Sequence, residues 1–145
     1  MEHGSRRFRE AVTLVGGGPF DFADLETARA RAPVLVAADQ AADRLREMGR
    51  MPDLIVGDMD SISDLEAWRR RDVRVLHLTE QDTTDFEKCL YSTEAPLYVA
   101  LGFTGGRLDH TLAVLHALMR YPEKRVVVVS AAEAVVLLPP GRVLR

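Results

Sequence analysis

Apolar residues in this chain come in short continuous runs, not in strict alternation with polar ones. Val12-Thr13-Leu14-Val15, Val34 to Ala38, Leu54 to Gly57, Val73 to Leu78, Leu97 to Leu101 and Val126 to Val129 are mostly β-branched or aliphatic. Runs of this kind suit strands buried on both faces. The segments between them read as helices: Phe22 to Arg31, Ala41 to Met48, Asp64 to Arg71, Asp85 to Tyr91 and Leu108 to Arg120. Strands alternating with helices predict βαβ units, and hence an α/β fold with an open, mostly parallel sheet covered by helices on both faces. Val135 to Leu138 predicts one more strand, and Pro139-Pro140-Gly141 a strong break after it. One α/β domain over residues 1–138 is therefore expected, with 139–145 opening a linker to a further domain.

Composition narrows the class. The 145 residues suit one domain, 47% hydrophobic content suffices for a core, and 28% charged residues suits a soluble protein. A net charge of -3 argues against a general nucleic-acid binder, whose affinity comes from Lys and Arg on phosphates. A single cysteine, Cys89, excludes an internal disulfide framework and fits a reducing compartment. Met1 to Glu10 is charged and has no apolar h-region, so no signal peptide is expected. The longest apolar stretch, Val126 to Leu138, is broken by Ser130 and Glu133 and is too short for a bilayer. The expectation is a cytoplasmic protein without nucleic-acid or membrane partners.

Carboxylates bring the chemistry. Asp39, Asp58, Asp60, Asp82 and Asp85 lie just past the ends of apolar runs, and Asp109 follows Gly105-Gly106 after another. In open parallel sheets ligands bind beyond the carboxyl ends of the strands, where strand order reverses. Acids gathered there repel one another unless something positive joins them. Mg²⁺ takes oxygen ligands and brings substrate phosphates with it.

Three segments carry most of this signal. In Gly57-Asp58-Met59-Asp60-Ser61, two acids two apart in an extended segment project to one side and can share a metal. The alternative is that one of them, or Ser61 or Ser63, caps the next helix. In Glu80-Gln81-Asp82-Thr83-Thr84-Asp85-Phe86-Glu87-Lys88, Thr84 with Glu87 fits a capping box, leaving Asp82 and Asp85 unexplained. The helix start there offers free N–H groups to a phosphate, and Lys88 is either a point charge for it or a solvated side chain. In Gly102-Phe103-Thr104-Gly105-Gly106-Arg107-Leu108-Asp109-His110, glycines permit close approach to phosphate and Arg107 can grip it bidentately. His110 is a cap or a ligand contact, whereas His77 and His116 read as structural, and Trp68, Phe86 and Cys89 as core. Gly16-Gly17-Gly18 is either a turn or a nucleotide loop.

In this order and spacing, Gly57 to Ser61, Asp82 to Lys88 and Gly105 to His110 resemble the motifs of the thiamine pyrophosphokinase family: Gly-Asp-x-Asp-Ser, Asp-x-Thr-Asp-x-x-Lys and Gly-Gly-Arg-x-Asp-His. The resemblance covers roughly Val12 to Leu138. It implies a Rossmann-like catalytic domain that transfers pyrophosphate from ATP to thiamine, releasing AMP. It also implies catalytic Asp39, Asp58, Asp60 and Asp85, with Mg²⁺ on Asp58, Asp60 and Asp85. Thr84, Lys88, Arg107, Asp109 and His110 would meet ATP, and Gln81 and Asp82 would meet thiamine. Asp39 and Asp85 are both candidates for the proton acceptor. Family members are homodimers with a C-terminal β-sandwich domain, which this chain is expected to lack.

One departure stands out. The family's Ala-Asp-Gly-Gly-Ala-Asn is here Ala38-Asp39-Gln40-Ala41-Ala42-Asp43, which puts side chains in place of two glycines and a charge in place of Asn. Two other outcomes therefore stay open: a non-catalytic nucleotide- or thiamine-binding module, and a pyrophosphokinase with a different alcohol acceptor.

Overall fold

The computed structural model describes residues 5–145, and positions 1–4 of the charged N-terminal segment lie outside the described residues. Its strands are β1 (Arg6–Arg7), β2 (Val12–Val15), β3 (Val34–Ala38), β4 (Leu54–Gly57), β5 (Arg74–His77), β6 (Thr93–Glu94), β7 (Tyr98–Leu101), β8 (Val126–Val129) and β9 (Ala134–Val136). Its helices are α1 (Phe22–Arg31), α2 (Asp39–Glu47), α3 (Leu65–Arg70), α4 (Asp85–Ser92) and α5 (Leu108–Arg120).

The apolar runs form a seven-stranded sheet in the order β5-β4-β3-β2-β7-β8-β9. All neighbours in it are parallel except β8 and β9. Side chains alternate across a sheet, so each central strand feeds two cores. Leu14, Val36, Val56, Ala100 and Val128 meet Phe86, Cys89 and Leu90 of α4 and Val114, Ala117 and Leu118 of α5. On the other face, Val15, Leu35, Ile55 and Leu101 meet Leu25 of α1, Ala41, Ala42 and Leu45 of α2, and Trp68 of α3. Continuous apolar runs are what two such cores require of a strand.

Helix α4 decides the topology. It leaves edge strand β5, crosses β4 and β3, and delivers the chain to β7 on the far side of β2. Strand order therefore reverses between β2 and β7, and the loops after these two strands part to open a crevice.

The strands and helices fall close to their expected places, with four differences. Helix α2 begins at Asp39 instead of Ala41, so that acid sits on the helix and not in a loop. The parallel pair β1–β6 was not expected: its exposed Arg6-Arg7 and Glu94 give no apolar signal, and it is held by backbone bonds such as Phe8 N–H to Glu94 O at 2.8 Å. Helix α3 is capped by Asp64, which accepts the Ala67 N–H at 3.0 Å, and not by Asp58, Asp60, Ser61 or Ser63. Thr84 caps α4 through the Glu87 N–H at 3.3 Å, but the Glu87 carboxylate turns to Arg120 at 3.1 Å, so only half of the capping box forms. Trp68, Phe86 and Cys89 are core residues as expected. His77 and His116 are exposed and belong to neither core.

Candidate active site

The crevice is a cleft of about 750 Å³ built by loops from both sides of the β2–β7 junction. Gly16-Gly17-Gly18 follows β2 and interlocks with the loop after β7. Gly16 N–H donates to Leu101 O at 2.8 Å and Gly18 N–H to Gly102 O at 2.6 Å. A Cβ on Gly16 or on Gly18 would lie 2.6 Å from Gly102 O. Packing alone therefore demands glycine at both positions, and the same loop lines the cleft. Arg44 of α2, which nothing in the sequence pattern singled out, pins this loop. It donates to Gly18 O at 2.9 Å and to Phe20 O, and its guanidinium lies 4.0 Å over the Phe20 ring.

Three of the acids converge beneath the cleft. Asp39 is 1% exposed and accepts the Met59 N–H at 2.9 Å. Burial first, then a hydrogen bond shared with Asp58 and the charge of Asp85, push its carboxyl up to about 7. Gly57 makes this fit possible, because a Cβ there would lie 2.7 Å from Asp39 Cγ. Asp58 lines the cleft and accepts Asp60 N–H at 3.0 Å and Gln81 Nε2 at 3.2 Å. These bonds hold its carboxyl below the usual range, that from Asp60 most of all. Asp85, at the start of α4, also lines the cleft. Burial raises its carboxyl against the lowering influence of Lys88. Asp60 does not join them: its side chain is exposed, outside the cleft lining, and it acts on Asp58 through its backbone N–H. Met59 between them sits at φ 68, so the extended spacing that would align the two carboxylates is broken there.

This donor set suits Mg²⁺ in one particular way. Among the described residues no three His, Cys, Asp or Glu side chains surround a point that could hold a metal. Two cleft-lining carboxylates, Asp58 and Asp85, match the mode in which Mg²⁺ takes one or two carboxylates and fills its octahedron with water and phosphate oxygens.

The substituted segment after β3 behaves unevenly. Ala41 points into the core and is fully buried, so its methyl never reaches the cleft. Asp43 accepts the Ser63 N–H at 3.0 Å and pairs with Arg46 at 3.5 Å, away from the cleft lining. Gln40 alone enters the cleft, packing so close that a Cβ on Gly17 would be 2.7 Å from its Oε1.

Of the remaining expected residues, Gln81, Thr84, Lys88, Arg107 and His110 line the cleft, while Asp82 and Asp109 do not. Lys88 is 3% exposed and already committed: Nζ lies 2.7 Å from Thr83 O, 3.4 Å from Thr83 Oγ1 and 3.3 Å from Glu80 Oε1. The Lys88 ammonium is thus turned to Thr83 and Glu80, and it acts on the acids as a charge. Arg107 and Asp109 form an exposed bidentate pair at 3.0 and 2.6 Å, which holds the Asp109 carboxyl low. Asp109 thus orients Arg107 at the N-terminus of α5, where unpaired N–H groups favour an anion.

Residues 25–130 match the family model described as thiamin pyrophosphokinase, catalytic domain. Thiamine pyrophosphokinase 1 of Arabidopsis thaliana is 38% identical over 107 residues, covering 61% of this chain and 38% of its own length. Thiamin pyrophosphokinase 1 of Caenorhabditis elegans is 31% identical over 125 residues, covering 77% of this chain and 51% of its own. This chain therefore spans 38% to 51% of the length of these two curated relatives. Thiamin pyrophosphokinase from Geobacillus thermodenitrificans superposes with a TM-score of 0.63 at 28% identity, over 82% of this chain and 59% of that one. Yeast thiamin pyrophosphokinase shares the fold with a TM-score of 0.70 at 19% identity, over 87% of this chain and 63% of that one.

Proposed function

The chain belongs to the thiamin pyrophosphokinase catalytic-domain family, and from that premise we propose that it catalyses, as part of an ATP:thiamine pyrophosphokinase, transfer of the terminal pyrophosphoryl group of ATP to the hydroxyethyl oxygen of thiamine. The observation that supports this most is the meeting of Asp39, Asp58 and Asp85 under a cleft whose other walls are glycine loops and the N-terminus of α5. Such a cleft suits a polyphosphate on one side and an alcohol on the other.

In the proposed reaction the thiamine hydroxyl oxygen bonds to the β-phosphorus of ATP. The bond from that phosphorus to the α–β bridging oxygen breaks, AMP departs, and the hydroxyl proton goes to a carboxylate. Of the two candidates only Asp85 lines the cleft, so we assign it the proton; Asp39 acts from beneath, through Asp58. Asp58 and Asp85 would hold Mg²⁺, which when bound supplies charge neutralisation for the triphosphate, and Asp60 braces Asp58. Arg107, oriented by Asp109, and His110 and Thr84 take the phosphates at the starts of α5 and α4. Lys88 adds charge, and Gln81 is assigned to the thiamine side, with Asp82 beside it in the chain but outside the lining. Positioning and electrostatics of this sort are what in-line phosphoryl transfer asks of a protein.

The reading extends to the whole molecule. The domain ends near residue 138, a boundary supported by the end of β9 at Val136 and the Pro139-Pro140-Gly141 break. A homodimer is supported by the stripe Leu108, Leu112, Leu115 and Met119, apolar and exposed along α5. A cytoplasmic setting is supported by the unpaired thiol of Cys89; no helix among the described residues is long and apolar enough to cross a membrane.

AMP release from Mg-ATP with and without thiamine tests the reading directly. Thiamine-dependent AMP is expected. Mg-ATP binding without AMP would favour a binding module, and AMP with another alcohol would favour a different acceptor; Gln40, the one substituted side chain in the cleft, is where either change would arise. Asp58→Asn is expected to weaken Mg-ATP binding at least tenfold, about 1.4 kcal/mol, with an unchanged circular-dichroism melt. Unaltered affinity in titration calorimetry would remove Asp58 from the metal.

A further inference from the structure

Behind the cleft wall, the loop from β5 to α4 closes on one side chain that does not itself line the cleft, Glu80. Glu80 Oε2 accepts the backbone N–H groups of Asp82 at 2.8 Å and Thr83 at 3.1 Å. Its Oε1 accepts the hydroxyls of Thr83 and of Tyr91, the latter at 2.9 Å, and lies 3.3 Å from Lys88 Nζ. Residues 79–84 belong to no helix or strand, so these bonds replace the backbone pairing that regular structure would supply. The loop they shape presents Gln81, whose Nε2 reaches Asp58 Oδ2 at 3.2 Å and Thr79 O at 3.2 Å.

Neither capping, packing nor simple charge pairing accounts for Glu80. The start of α4 is already capped by Thr84. The Glu80 side chain is 37% exposed and contributes nothing to either core. Pairing with the buried Lys88 accounts for one contact of Oε1, but it does not require the two backbone donors on Oε2.

We propose that Glu80 is a positioning residue for the acceptor side of the cleft: it fixes residues 81–83 so that Gln81 stays against Asp58. The inference rests on the pyrophosphokinase reading of the cleft, and goes beyond it by separating a residue that shapes the thiamine side from those that touch either substrate. Loss of Glu80 frees Gln81 to wander, which weakens the acceptor. The glycine loops and the α5 N-terminus, built by other strands, keep their hold on the nucleotide.

The test combines backbone amide exchange with steady-state kinetics on Glu80→Ala and Glu80→Gln. In the alanine variant the Asp82 and Thr83 amides are expected to exchange roughly tenfold faster, while core amides such as those of Leu14 and Val56 are unchanged. The KM for thiamine should rise roughly tenfold, as for a lost hydrogen-bonded contact, and the KM for Mg-ATP should stay within about twofold. Glu80→Gln keeps an oxygen for the two backbone donors and should recover most of both effects; should the alanine variant fail to fold, Glu80→Ser, whose hydroxyl is too short to reach both donors, carries the same test. Unchanged Asp82 and Thr83 exchange overturns the proposal whatever the kinetics. Faster exchange with both KM values moving together, or with neither moving, overturns it as well. A wild-type chain that releases no thiamine-dependent AMP defeats the pyrophosphokinase reading instead, and the exchange measurement alone then decides whether Glu80 orders the loop.

Discussion

Asp39 shows how one side chain can shape a site it does not enter. A buried carboxylate beside two others is costly unless it holds its proton, and here it holds one up to about pH 7 and shares it with Asp58. Unfolded, the same carboxyl titrates near 3.8. Because the folded value is the higher one, the folded protein binds the proton more tightly. The associated stability is complete below about 3.8 and is lost as pH rises through about 7. Asp39→Asn mimics the protonated form: its amide oxygen can still accept the Met59 N–H, and its NH₂ can donate to Asp58. We expect this variant to match wild type in denaturant melts near pH 4 and to exceed it by about 1–3 kcal/mol near pH 8. An equal difference at both pH values would mean that the proton does not reside on Asp39. Gly57 is required because the Asp39 carboxyl packs against it, a contact between residues 18 apart that the sequence does not show.

At the scale of elements, the cleft exists because two loops interlock through glycine. Gly18→Ala would drive a methyl into the Gly102 carbonyl, which as backbone cannot give way. A loss of about 1–3 kcal/mol is expected, together with weaker Mg-ATP binding. Gly106→Ala serves as the control, since its Cβ would meet only Pro19 Cδ at an ordinary 3.6 Å; urea melts of the two variants should separate clearly. Thr84→Ala removes the cap of α4 and should cost about 1 kcal/mol, with Asp85 displaced along with the first turn. The elements themselves were legible because β-branched runs and caps are local signals. The β1–β6 pair was not, since backbone bonding between two-residue polar segments leaves no hydrophobic trace.

For the whole molecule, the cleft joins loops from β2, β3, β4, β5 and β7, so a ligand in it ties distant parts of the chain together. Binding to the folded state alone stabilises it by about 2.7 kcal/mol at a hundredfold excess over Kd. For a domain of this size that is a rise of roughly 5–10 °C in Tm. We expect Mg-ATP to give such a shift and EDTA to abolish it. A shift that survives EDTA would show nucleotide binding without the Asp58–Asp85 cation. Most of the candidate residues named from motifs reach one cleft, but Asp39, Asp60, Asp82 and Asp109 stand outside its lining. Motif spacing says which residues travel together; it does not say which side of the backbone each one faces once a residue such as Met59 turns left-handed.

By itself, the sequence determined the alternation of strands and helices, the burial of the central strands on two faces and the family motifs that carry the acids. These follow from short-range rules: side-chain period, β-branching, capping chemistry and turn residues. Only the tertiary structure decided that α4 crosses the sheet to open the cleft, and that Asp39 lies under Gly57. It likewise decided that Lys88 turns to Thr83 and Glu80, and that Gln40 is the one substituted side chain to face the cleft. Each of these is a contact between residues far apart in the chain or a choice of side-chain direction, and neither is encoded in local pattern, because both depend on which surfaces the finished sheet brings together.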